Sequence, residues 1–174
     1  MAEIKLKGNP VHLAGAFPRK GVKAPDFALV KGDLGALSLS DLKGYFVVLN
    51  IFPSLDTAVC ATSVRRFNQL ATAFPNTIVL CISRDLPFAQ SRFCVAEGLD
   101  HVITLSDFHL HSTFGRDYGV LMTEGPLSGL LARAIVVINP EGEVAYTELI
   151  PEITQEPNYE AALEAVREEE HFYY

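Results

Sequence analysis

The 174-residue chain contains no tryptophan, only three cysteines and two methionines, and no apolar run of membrane-spanning length. Its most apolar stretches, Tyr45 to Phe52 and Leu130 to Ile138, fall well short of the ~20 residues a spanning helix needs, and Arg133 interrupts the second. Basic residues are also scarce. The balance of 14 Lys+Arg against 21 Asp+Glu gives a net charge of −7 and repels phosphate backbones and anionic lipid heads. The composition therefore argues against nucleic acid or a membrane surface as partner. The first residues, Met-Ala-Glu-Ile-Lys-Leu-Lys, lack the apolar core of a signal peptide, so the expected location is cytoplasmic. An odd cysteine count suits no disulfide scaffold, and in a reducing compartment a disulfide is transient chemistry.

What the chain does have is a 49% hydrophobic composition, enough for a full core without disulfide or metal staples. No repeat or long linker divides it, so residues 1–174 are expected to form a single domain. Residues 1–15 read as an amino-terminal hairpin turned at Gly8-Asn9-Pro10, and 168–174 as an acidic and aromatic tail. Tyr45 to Phe52 is a strand covered on both faces. After Pro53, the spacing of Cys60, Val64, Phe67, Ala71 and Phe74 predicts one face of an amphipathic helix, stopped at Pro75-Asn76. Further strands are expected at Thr77 to Ser83, His101 to Leu105, Leu130 to Asn139 and Glu143 to Leu149. Helices are expected from Pro87 to Gly98, at Phe108 to Phe114, and from Tyr159 to about Arg167, with fraying at Glu168 to Glu170. This order describes a three-layer α/β domain with a central mixed β-sheet flanked by helices.

The segment Phe52-Pro53-Ser54-Leu55-Asp56-Thr57-Ala58-Val59-Cys60 leaves a central strand and enters a helix, where open α/β sheets place their ligand crevices. Ser54 and Asp56 are candidate caps. Cys60 then lies near the first turn, whose free N–H groups and dipole favour negative charge on the sulfur. Thr57, three residues earlier, can place a hydroxyl on the same face, and Pro53 supplies a rigid wall. Cys60 equally belongs to the helix's apolar stripe, where a cysteine can be an inert core residue. Arg133 raises the stakes: in a strand this apolar, its guanidinium requires an anionic partner, either a carboxylate or a cysteine sulfur.

The pattern Pro53-x-x-x-Thr57-x-x-Cys60, with a separate strand arginine, resembles the peroxiredoxin active site. Ala61 to Asn68, Val79 to Ser83, Asp85 to Cys94, Gly125-Pro126-Leu127, Ala132-Arg133-Ala134 and Glu156-Pro157-x-Tyr159 extend the likeness over nearly the whole chain. Within the peroxiredoxins these residues resemble the bacterial thiol peroxidases, the atypical two-cysteine subfamily. The resemblance implies a thioredoxin-like fold and a cofactor-free, metal-free peroxidase acting on hydrogen peroxide and alkyl hydroperoxides. It makes Cys60 the peroxidatic nucleophile, with Thr57 and Arg133 holding the peroxide and Pro53 shielding the sulfur. It makes Cys94 the resolving cysteine of an intrachain disulfide reduced by thioredoxin, and implies a homodimer. Cys81, inside a buried strand, is expected to be a spectator.

Other candidates are weaker. His109 and His111 could share a strand face, but no Cys-x-x-Cys or His-Glu-x-x-His accompanies them to make a zinc site. Ser83-x-Asp85 and Ser106-Asp107 read as turn or capping residues. Two competing functions stand beside the peroxidase: a redox-sensing module whose oxidation signals to a partner, and a structural domain with three inert cysteines.

Overall fold

A computed structural model of the chain describes residues 2–170. In the first strand pair, β1 (Glu3–Leu6) and β2 (Asn9–Ala14) form the expected hairpin. Its turn falls one residue earlier than anticipated, at Lys7-Gly8. Both residues have positive φ, 49° and 83°, the backbone of a two-residue hairpin turn, and Asn9 and Pro10 already belong to β2. β8 (Leu121–Met122) joins this pair as a third strand.

Among the described residues the main sheet has seven strands, in the order β10-β9-β5-β6-β7-β3-β4. Near its centre lies β5 (Phe46–Ile51), buried throughout, parallel to β6 (Thr77–Ser83) and antiparallel to β9 (Ala134–Ile138). β7 (Ile103–Ser106) runs parallel to β6, while β10 (Val144–Leu149) closes one edge and β3 (Ala28–Val30) with β4 (Ala36–Ser38) the other. Because side chains alternate across a strand, β5 serves two cores. Leu49 and Ile51 pack with Leu80, Ile82 and Leu131, a core that the small sheet covers through Ile4, Val11, Leu13 and Met122. Val48 and Phe46 pack on the other face with Val64, Phe67, Val79 and Val166, beneath α1 (Ala58–Ala71) and α4 (Tyr159–Glu170). Each large side chain so buried contributes about 1.5–3 kcal/mol.

α2 (Pro87–Glu97) begins with proline in its first turn and ends at Gly98, whose φ of 64° gives the left-handed stop expected there. Elsewhere the structure differs from the sequence reading. β3, β4 and β8 are only two or three residues long, too short for alternation to register. The segment Phe108 to Thr113 is a loop: Ser112 Oγ donates to Asp107 and accepts from the N–H of Phe114, while Leu110 points fully into solvent. The short helix follows it, as α3 (Phe114–Asp117). His109 and His111 accordingly lie on this loop, with stacked rings, and not on a strand. α4 continues through Glu170 where fraying was expected, since glutamate is a good helix former. The remainder of the anticipated tail, His171 to Tyr174, lies outside the described residues.

Candidate active site

β5 and β6 are parallel neighbours, so the loops leaving their carboxyl ends meet. Pro53 is buried where the first loop begins. Ser54 Oγ then donates to Oδ1 of Asp85 at 2.7 Å, and the Leu55 N–H donates to Oδ2 at 2.8 Å, so a carboxylate from the end of β6 holds the approach to α1. Ser83 Oγ donates to the same Oδ2 at 2.6 Å. The sequence suggested only turn chemistry for Ser83 and Asp85. Its spacing shows no link to Ser54, because the contact exists only through the parallel pairing of the two strands.

Thr57, rather than Ser54 or Asp56, caps α1. The Cys60 N–H donates to Thr57 Oγ1 at 3.4 Å, and the hydroxyl donates in turn to the Ser54 carbonyl at 3.1 Å. The first full helical bond runs from the Ala61 N–H to the Thr57 carbonyl at 3.0 Å. Cys60 is therefore in the first turn, at the positive end of the helix dipole. Its side chain is fully enclosed beside Phe52, Leu55 and Val64. Ser63 Oγ donates to the Cys60 carbonyl at 2.8 Å, and Asn50 Nδ2 donates to Ser63 Oγ at 3.2 Å, anchoring the turn from beneath.

The partner that Arg133 finds is the sulfur of Cys60. Arg133 is 2% exposed, its Nη2 donates to Cys60 Sγ at 3.2 Å, and its Nε donates to the Ile153 carbonyl at 2.9 Å. No carboxylate among the described residues forms an ion pair with it. Nη1 is buried without a hydrogen-bond partner among the described residues. A buried polar donor left without a partner costs free energy, and Arg133 carries one on the same guanidinium that meets the sulfur. Tyr159 adds to the surroundings: it packs edge-on against Phe67 at 5.2 Å, donates to Glu156 at 2.8 Å, and has its phenol pushed up by burial.

The other two cysteines occupy different environments. Cys94, half-buried on α2, has Sγ 4.0 Å from the Thr104 hydroxyl on β7, and burial pushes its thiol up. Cys81 is enclosed within β6, where burial pushes its thiol up to about 12. Three strand spacings, about 14 Å, separate β9, next to the Arg133 that holds one sulfur, from β7, whose Thr104 touches another. Cys60 and Cys94 are both free thiols in this arrangement.

A central mixed sheet, a cysteine in the first turn of the following helix and a buried arginine on its sulfur define a redoxin-type thiol protein. The Redoxin family model matches residues 19–163. The thiol peroxidase of Mycobacterium bovis is 58% identical over 166 residues, covering 95% of this chain and 99% of that protein. Among solved structures, a peroxiredoxin-like protein from Aquifex aeolicus superposes with a TM-score of 0.90 at 42% identity, covering 97% of each chain. The thiol peroxidase from Chromobacterium violaceum superposes with a TM-score of 0.88 at 25% identity, covering 98% of each. The chain belongs to the redoxin family, in its thiol peroxidase branch. It is a peroxiredoxin-type oxidoreductase with the thioredoxin-like architecture that its motifs implied.

Proposed function

We propose that this enzyme reduces hydroperoxides through Cys60 as nucleophile and Cys94 as resolving thiol. The observation that carries the assignment is Arg133, held by the Ile153 carbonyl, directed at the Cys60 sulfur and carrying a buried donor that has no partner among the described residues. Ionised Cys60 attacks the terminal peroxide oxygen; the O–O bond breaks, the sulfur gains a hydroxyl, and the departing oxygen takes a proton as water or alcohol. Arg133 supports that transfer with a charge already in place where negative charge moves from sulfur to oxygen. Thr57 caps the turn that presents the sulfur, and Pro53 keeps the approach narrow.

The Cys60 sulfenic acid then condenses with the Cys94 thiol, forming the S–S bond and releasing water. A disulfide requires Cα atoms within about 7 Å, so α2 or the first turn of α1 must open for this step. A dithiol reductant reverses it by exchange, and thioredoxin is the reductant the family resemblance supports. We place the enzyme in the cytoplasm as a homodimer, where such a reductant keeps it cycling. Among the described residues no helix is long and apolar enough to cross a membrane.

Peptide mapping after one equivalent of an organic hydroperoxide is expected to show the 60–94 disulfide; a 60–81 link would overturn the assignment of Cys94. Steady NADPH consumption with thioredoxin, its reductase and hydroperoxide is expected, and a single turnover with this complete reductant set would favour a redox sensor. Sedimentation tests the dimer.

A further inference from the structure

Helix α2 buries little apolar surface: Phe93, partly buried, packs against the second core, and polar tethers hold the helix at either side of it. Of its described residues only Pro87 and Gln90 are buried, whereas Phe88 is 66% and Val95 84% exposed. Gln90 is fully enclosed, and its Nε2 donates to the Leu105 carbonyl at 2.9 Å and to Ser83 Oγ at 3.1 Å. Its Oε1, equally buried, has no partner among the described residues, so the seat is only partly satisfied. At the other end of the helix, Arg65 of α1 forms a two-pronged bond to Glu97, through Nη2 at 2.8 Å and Nε at 3.1 Å. The same guanidinium lies 5.8 Å from the Phe93 ring. Cys94 sits between these two tethers.

We propose that Gln90 and the Arg65–Glu97 pair are positioning residues that set the rate at which α2 opens to bring Cys94 to oxidised Cys60. The inference rests on the proposed pairing of Cys60 with Cys94. A helix that buried a broad apolar face would open rarely; one held by an imperfect polar anchor and a half-exposed ion pair opens at low cost, and each tether removed raises the open population. The race at stake is between condensation with Cys94 and a second peroxide, which carries the sulfenic acid on to sulfinic acid. Glu97 lies outside the hydrogen bonds that hold the Cys60 loop, so loosening it acts on resolution alone, whereas Gln90 shares Ser83 with the Asp85 carboxylate that holds that loop.

The test is the Glu97→Gln variant, which changes a surface side chain and keeps its shape. In the reduced protein, amide exchange of residues 91–97 should quicken. Quenched mass spectrometry should show disulfide formation accelerated about 1.4- to fivefold, the range for one exposed ion pair. The second-order oxidation of Cys60 should not change, and less sulfinic acid should accumulate in excess peroxide. High salt should shrink the difference between variant and parent, and the charge swap Arg65→Glu with Glu97→Arg should restore the parent rate. Gln90→Met should act in the same direction on exchange and resolution. Faster exchange with an unchanged or slower resolution rate overturns the proposal. Failure of the unsubstituted protein to form any 60–94 link would instead remove the functional reading beneath it.

Discussion

Arg133 reaches Cys60 across 73 residues of sequence, and the Cys60 sulfur and the Ile153 carbonyl are the partners its buried guanidinium has among the described residues. Arg133→Met keeps much of the volume and removes the charge. It should slow Cys60 oxidation by about 10²-fold or more, the typical cost of losing one preorganised donor, as read by competition kinetics; an unchanged rate would take Arg133 out of the site. Cys60→Ser should abolish turnover altogether. Cys81 tests the opposite environment. With its thiol pushed from 9.0 up to about 12, the folded chain keeps a proton that the unfolded chain loses in that interval. Stability therefore falls as pH rises from 9.0 towards 12. Cys81→Ala should decline less steeply over the same window in denaturant titrations. At mildly alkaline pH, iodoacetamide should leave Cys81 of the native protein unmodified.

At the scale of elements, α1 was the most readable part of the chain. Cys60, Val64 and Phe67 are buried, as their spacing predicted, and Arg65 and Arg66 face solvent; the helix ends at the half-buried Ala71, short of the expected stop, so buried Phe74 follows it in the turn. Its cap was not so readable, because Ser54, Asp56 and Thr57 are all capable oxygens and only the path of the loop selects one. Thr57→Ala should lower stability by about 1 kcal/mol, with Thr57→Ser restoring it, measured by chemical denaturation. α2 was located between Pro87 and Gly98 by its terminal residues alone. Its weak seat was not visible in the sequence, since Gln90 has no reason to be buried until Ser83 and Leu105 are placed beneath it. The Phe108 to Phe114 expectation failed for a related reason: Asp107 and Ser112 bond each other and turn the backbone out of a helix before Phe114.

For the whole molecule, the fully buried β5 divides the interior in two, and each core depends on it. Leu49→Ala should cost about 2–5 kcal/mol in denaturant unfolding, while Leu110→Ala, at a fully exposed position, should leave the midpoint unchanged. Hydrophobic runs, helix periodicity and terminal proline and glycine residues determined by themselves the α/β fold and the cysteine at the head of a helix. The motif around Cys60 also identified the family, because its chemistry is concentrated in eight consecutive residues. The completed site was decided only by tertiary structure. Strand order brings Arg133 beside β5, the parallel pairing of β5 and β6 carries Asp85 to the Cys60 loop, and the same order keeps Cys94 on the far side of two strands. These are long-range placements set by sheet register and burial, and a linear sequence displays only the residues that such placement will join.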